Sequence, residues 1–406
     1  ISISLAVTIM LSKLVGSILP LIAKKCRLDP AVMASPFITT IVDNLYFTII
    51  KVSDEMNAFR VFETLNARGV QLSSADLLKN YLFALVDDKR YPNRIGILEE
   101  KWSSLTNNIH AEKLPDFIRY YWNSKNKTVR ANDLFKAIRD KIKTDVEVFA
   151  LVSDMISYSD IYMALLNPND ELWNGDRDIV DNIELLKRFN LKQPYSLLMT
   201  AYKSLDKKEF IKILQDIIVV SFRYSIICGK NPNEVERVYN KIAIQVSATG
   251  IYQTDQMREI YVDDVEFIPA FKMKQFPANT RNNQIAKYIL GKIERFKGGT
   301  RDVIFTSETD TLEHILPQNP GVEWGDDNYN FDSLIYRLGN LCLLEKQYNK
   351  DLENKAYVDK MSIYKKSAFL TTRMIENEYQ QWGSDSITQR QQKMGECAKG
   401  IWRLAW

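Results

Sequence analysis

Between residues 97 and 297 apolar side chains return at spacings of three and four, the period of a helix that buries one stripe. The clearest stretches are Ile183–Phe189, Pro194–Leu205, Glu209–Ile227 and Asn233–Val246, with NPND at 167–170 and GKNPN at 229–233 reading as loops. Such a pattern commits the chain to a mainly α, soluble protein. Its composition agrees: 46% of the 406 residues are apolar and 26% are charged, enough apolar mass for two or three packed cores. Disordered and collagen-like classes are excluded. Basic and acidic residues number 54 and 51, a net charge of +3, so bulk charge does not announce a nucleic-acid binder and only a local patch could steer one. Cys26, Cys228, Cys342 and Cys397 stand far apart with no C-x-x-C pair, which argues against a disulfide scaffold or zinc ribbon and for a reducing compartment.

Aromatic residues within the helical stretch sit beside basic ones: Tyr120, Tyr121 and Trp122 after Arg119, and Phe222 and Tyr224 around Arg223. A base-stacking surface would have this composition, but aromatics at helical spacing are more commonly core, and core is the reading preferred. The chain has two histidines. His110, in NNIHAEKLP, has no partner pattern and reads as surface loop. Any histidine chemistry therefore falls to His314.

The first fifty residues differ in character. Residues 1–23 are apolar apart from Lys13, long enough to span a bilayer, and a second apolar stretch at 31–50 carries Asp43. A pair of buried helices would look the same. GSILPLIAKK followed by LDPAVMASPFITTIVD resembles a transmembrane stretch of the MgtE-type magnesium transporters. That resemblance covers residues 1–44 and implies an ion-binding role for the acidic residue at Asp43. It stops there, so these residues read as a fusion scar, and two spans cannot enclose a selective pore.

The segment 58–86 has readable local mechanics. Asn66-Ala67-Arg68-Gly69 marks a turn. Ser73 and Asp76 form a capping box for a helix with Leu77, Leu78, Tyr81, Leu82 and Leu85 on one face. FETLNARGVQLSSADLLKNYLF also resembles the N-terminal, ParB-like NTPase domain of GmrSD-type restriction proteins. The DGQQR-type nucleotide motif of that family should lie upstream, where the transporter-like sequence stands instead. Asn66 and Arg68 are accordingly expected to be vestiges of a nucleotide site. The basic Gly-Gly stretch ERFKGGTRD at 294–302 reads as the clearest domain boundary.

Chemistry concentrates between residues 312 and 360. LEHILPQNP (312–320) sets Glu313 beside His314 with Pro317 three residues on; NLCLL (340–344) reads as a strand, and a helix should follow it. Glu313, His314, Asn340 and Asn349 have the order and spacing of a ββα-metal finger, the HNH nuclease site. Phosphodiester hydrolysis needs a base for water and a cation for the leaving oxygen, and magnesium prefers few oxygen ligands. His314 would be the base, Glu313 and Asn349 the metal ligands, and Asn340 the cross-hairpin residue that orients the histidine. Neighbours on a regular strand point to opposite faces, so Glu313 and His314 need an irregular turn to share one site.

LEHILPQN, Trp324, RLGNLCLLE, YNKDLENKAYVDK and a closing W-x4-I-x2-R of Trp382, Ile387 and Arg390 together resemble the C-terminal nuclease domain of GmrSD-type proteins. Asn354 and Lys360 also match that pattern, which implies nucleic-acid contacts for both, Lys360 to phosphate; a solvated helix lysine is the alternative. The final stretch, from Ser386, reads as a helix packing Ile387, Met394, Ala398 and Ile401. Glutamate where aspartate is commoner lengthens the ligand arm and leaves manganese or nickel open beside magnesium.

The expected organisation is a transporter-like fragment at 1–44, the end of a ParB-like domain at 45–96, a helical domain at 97–300 and an HNH-like nuclease domain at 301–406. The expected activity is metal-dependent DNA cleavage in restriction or phage defence, in the cytoplasm, with DNA and other defence subunits as partners and the membrane only if residues 1–44 insert. A membrane-attached transporter remnant without catalysis and a non-cleaving nucleic-acid-binding module are the alternatives.

Overall fold

The computed structural model describes residues 73–86, 93–110, 113–301, 303, 309–321, 324, 331–350, 352 and 354–406. All of them belong to the unit Gln71–Trp406. The readings of residues 1–44, Asp43, Asn66 and Arg68 lie outside the described residues.

The protein is mainly helical with a small two-stranded sheet near its C-terminus. In chain order the helices are α1 (Ser74–Ala84), α2 (Arg94–Ile109), α3 (Leu114–Asn123), α4 (Ala131–Lys141), α5 (Asp145–Leu166), α6 (Arg177–Arg188), α7 (Tyr195–Ser204), α8 (Lys207–Ser221), α9 (Pro232–Thr249), α10 (Asp264–Met273) and α11 (Thr280–Phe296). Then come β1 (Asp310–His314), α12 (Phe331–Ile335), β2 (Leu341–Glu345), α13 (Lys346–Asn349), α14 (Tyr357–Tyr364), α15 (Leu370–Glu378) and α16 (Ser384–Ile401).

Local signals set many of these bounds. Ser73 caps α1: its hydroxyl accepts from the Asp76 N–H at 3.2 Å while the Asp76 carboxylate accepts from the Ser73 N–H at 3.2 Å. Thr144 and Glu147 repeat the device at α5. Gly250, at φ 63°, ends α9 in the left-handed region that favours glycine.

Helices α2, α3 and α7 pack on α5, and α9 lies along α7. Among the described residues α5 is long and apolar enough to cross a membrane, but more than half of that stretch is buried inside the protein, as in a core helix. Tyr120, Tyr121, Trp122 and Phe222 are all buried, in keeping with the preferred core reading. Arg223, wholly buried on a π-helical turn that extends α8, donates to the Val262 carbonyl and the Asp264 carboxylate, each at 2.8 Å, and to the Trp402 carbonyl. The Trp402 ring stacks on Phe222 with centroids 4.2 Å apart, so the chain beyond α16 is sealed against the helical core. His110 is exposed at the end of α2, as read from the sequence.

Packing runs straight across the glycine stretch at 298–299. Helix α11 touches β1, β2 and α16. The buried Glu294 carboxylate accepts from the N–H groups of Leu370 and Thr371 at 2.7 and 2.8 Å, at the start of α15. The end of α11 is thus tied to the start of α15 on the far side of the glycines.

Candidate functional site

Strands β1 and β2 run antiparallel, with Glu313 opposite Cys342 and His314 opposite Leu341. The helix expected after β2 is broken in two: α13 stops at Asn349 and α14 starts at Tyr357. Glu313 and His314 both lie within the regular strand and therefore point to opposite faces. The irregular turn that would bring them to one side begins only beyond His314.

Glu313 faces α14. It is 5% exposed, and its Oε1 accepts from Lys360 Nζ at 2.6 Å and from the Tyr364 hydroxyl at 3.1 Å. Burial pushes its carboxyl pKa up, with the Lys360 ammonium pulling the other way. Lys360 is not in solvent: it has no exposed surface, and Nζ also donates to the His314 carbonyl at 2.9 Å. A lysine on a short helix looks solvated from sequence; here its helix is laid on the hairpin.

The His314 ring lies on the other face, edge-on to Tyr336 with centroids 6.0 Å apart. Gln318 Nε2 lies 3.4 Å from His314 Nε2 and can donate when that nitrogen carries no proton. Burial, with the Lys360 charge second, pushes the imidazole pKa down to about 4. The ring is neutral near pH 7.

Asn340 is a saturated cross-hairpin latch. Its Oδ1 accepts from the Leu316 N–H at 2.8 Å and from Trp382 Nε1 at 3.0 Å. Its Nδ2 donates to the Leu316 carbonyl at 2.9 Å and the Ile335 carbonyl at 3.0 Å, and its own carbonyl accepts from the Ile315 N–H at 3.0 Å. The turn before it is gripped by α16. Arg390 Nη1 donates to the Gly339 and Leu341 carbonyls at 2.7 Å each, and Gln391 Oε1 accepts from the Gly339 N–H at 3.0 Å. A Cβ on Gly339 would come 2.1 Å from the Ile387 carbonyl oxygen, which is why glycine stands there. Trp382, Ile387 and Arg390, spaced as W-x4-I-x2-R, thus meet at one turn.

Asn349 Nδ2 donates to Thr311 Oγ1 at 2.7 Å and to the Leu312 carbonyl at 3.2 Å. Thr311 precedes Glu313 by two and so shares its face. The amide oxygen is the acceptor that remains. Asn354 is exposed, and its carbonyl accepts from Trp324 Nε1 at 3.4 Å. Lys360 with Glu313, and Trp382 with Asn340, were both quoted from the sequence; that they are partners was not. Tyr364 and Gln391 were missed, and only their helical spacing from Lys360 and Ile387 could have pointed to them.

Among the described residues no three His, Cys, Asp or Glu side chains cluster as metal ligands. Glu313 Oε1 accepts from both an ammonium and a phenol.

Residues 261–397 match the family model of the C-terminal domain of GmrSD restriction endonucleases. Residues 1–51 match the MgtE model, described as a divalent cation transporter. Both resemblances read from the sequence are borne out. No curated protein matches the chain. The first match takes in the whole hairpin, its latch and α14, and it begins at Tyr261, ahead of α10 and α11, which pack against α16 and, for α11, against the sheet.

Proposed function

We propose that the chain is a DNA endonuclease of a restriction or phage-defence system that hydrolyses phosphodiester bonds at the end of the β1–β2 hairpin, with His314 as general base. The observation that carries this reading is the placement of His314, inside the matched domain, at the end of β1, where its backbone is held from both sides. Lys360 binds its carbonyl, and Asn340 binds Ile315 and Leu316 just beyond it. A base must be unprotonated to take a proton from water, and burial keeps this ring so at neutral pH. Asn340 orients rather than reacts, because its side-chain hydrogen bonds are spent within the protein. Cleavage is expected to need a divalent cation, magnesium first, with manganese or nickel as substitutes. The Asn349 amide oxygen is an anticipated ligand atom left open by the bonds its Nδ2 makes, and Asn354, exposed at the foot of α14, is placed to meet nucleic acid.

The full chain is incubated with supercoiled plasmid in each of the three metals and in chelator. Metal-dependent nicking that falls by about a hundredfold or more in His314→Ala, at unchanged melting temperature, supports the reading. Nicking unaltered in His314→Ala overturns it. DNA retention in a gel shift without cleavage in any metal would make the chain a binding module instead.

A further inference from the structure

We infer that Glu313 and Lys360 form an internal ion pair that positions His314, in place of the metal and phosphate contacts expected of them. The inference rests on the reading of His314 as base and deepens it.

Lys360 and Tyr364 are four residues apart on α14 and therefore share one of its faces, and both end on the same oxygen, Glu313 Oε1. The lysine's second bond runs to the carbonyl of His314. One ammonium thus ties α14 to the side chain of one residue and the backbone of the next, at the point where the strand ends. Lys360 has no exposed surface and Glu313 almost none, so a phosphate cannot reach the ammonium without opening the packing. A cation at Glu313 Oε1 would have to displace the ammonium and strand a buried charge, which proteins tolerate poorly. The pleat adds an independent reason: Glu313 and His314 face opposite sides of β1, so a metal held by Glu313 would sit across the strand from the imidazole. Glu313 and Lys360 are positioning residues, felt by substrate only through His314.

The test uses full-length wild type, E313Q, K360M, the double variant E313Q/K360M and N349A, with three readouts. Thermal unfolding measures the coupling of the pair. Each single variant should shift the folding equilibrium by about tenfold or more, and the double variant should recover most of the loss, because a neutral pair leaves no orphaned charge. Calorimetric titration with Mn2+ alone measures ligation: E313Q should bind within about twofold of wild type, inside the spread expected for sites that do not interact. Binding of a DNA duplex in chelator, across a salt series, measures phosphate contact. K360M should leave both the affinity and the salt slope unchanged, while kcat for plasmid nicking falls and half-saturation by DNA does not move.

Additive losses in the double variant overturn the ion pair. An E313Q that keeps its melting temperature but binds Mn2+ at least about tenfold more weakly, as a lost ligand does, makes Glu313 a metal ligand. A K360M salt slope lower by about one makes Lys360 a phosphate contact. A wild type that cuts no plasmid would refute the endonuclease reading, and the unfolding cycle would still decide the ion pair.

Discussion

The helical layers from α1 to α9 and the hairpin of β1 and β2 are held by different forces. In the first region most of the buried side chains are apolar: Trp173 stacks on Phe210, and Leu214 and Ile217 have no exposure at all. Such packing is non-directional, and helices satisfy their own backbone, so the layers need few specific cross-links. The hairpin buries apolar side chains too, Ile315 and Leu344 among them, but does not rest on them alone. Two short strands are marginal on their own, and the hairpin is fastened by buried polar side chains from elsewhere: Trp382 and Arg390 from around α16, Lys360 and Tyr364 from α14, and Asn340 across the turn. Apolar burial sets stability; directional bonds set where one imidazole sits.

That contrast can be broken or sharpened by substitution. The largest effect is expected from Asn340→Ala, which would orphan the Leu316 and Trp382 N–H groups and two buried carbonyls for about 4 kcal/mol of stability and also abolish nicking. Differential scanning calorimetry with the plasmid assay checks both; full nicking by the variant would show that the latch does not place His314. Leu214→Ala, in the apolar region, should cost about 3 kcal/mol through the cavity it leaves. Its kcat below the melting transition should match wild type. A fall in kcat as large as that of Asn340→Ala would erase the distinction between the two regions.

The smallest effect concerns the one buried carboxylate of α8. Asp216 Oδ2 accepts from the Tyr252 hydroxyl at 2.6 Å and Thr254 Oγ1 at 2.8 Å, yet burial outweighs these bonds and raises its pKa. A carboxyl whose pKa is higher folded than unfolded binds protons more readily in the native state. Its stabilising share is therefore present at low pH and lost as pH rises through the folded value. Asp216→Asn keeps an acceptor for both hydroxyls and removes that loss. The melting temperature of the variant relative to wild type should rise by a few degrees between pH 4 and pH 7. A constant difference across that range would mean that the carboxylate carries no burial penalty.

Local features were legible from the residues alone. The Ser73–Asp76 capping box, β2 from NLCLL and the stripe of α16 with Ile387, Met394 and Ala398 buried all stand where the pattern put them. Each depends on neighbours within one turn or one strand. The GmrSD and MgtE resemblances were also readable, since motif spacing is itself a sequence property. Two features that depend on packing were not legible. Around the Gly-Gly stretch at 298–299, read as a boundary, nothing local shows that Glu294 bonds to the start of α15. Lys360 was expected at phosphate or in solvent, and nothing local says that α14 lies on the hairpin and buries it.

What the sequence by itself determined is the helical class, the place of the strands and the two family resemblances. What only the tertiary structure decided is who meets whom. Glu313 and Lys360 are 47 residues apart, and Asn340 and Trp382 are 42 apart. Periodicity is a property of neighbouring residues, whereas partnership between distant ones arises only when apolar faces have packed and left particular polar atoms with no water to bind.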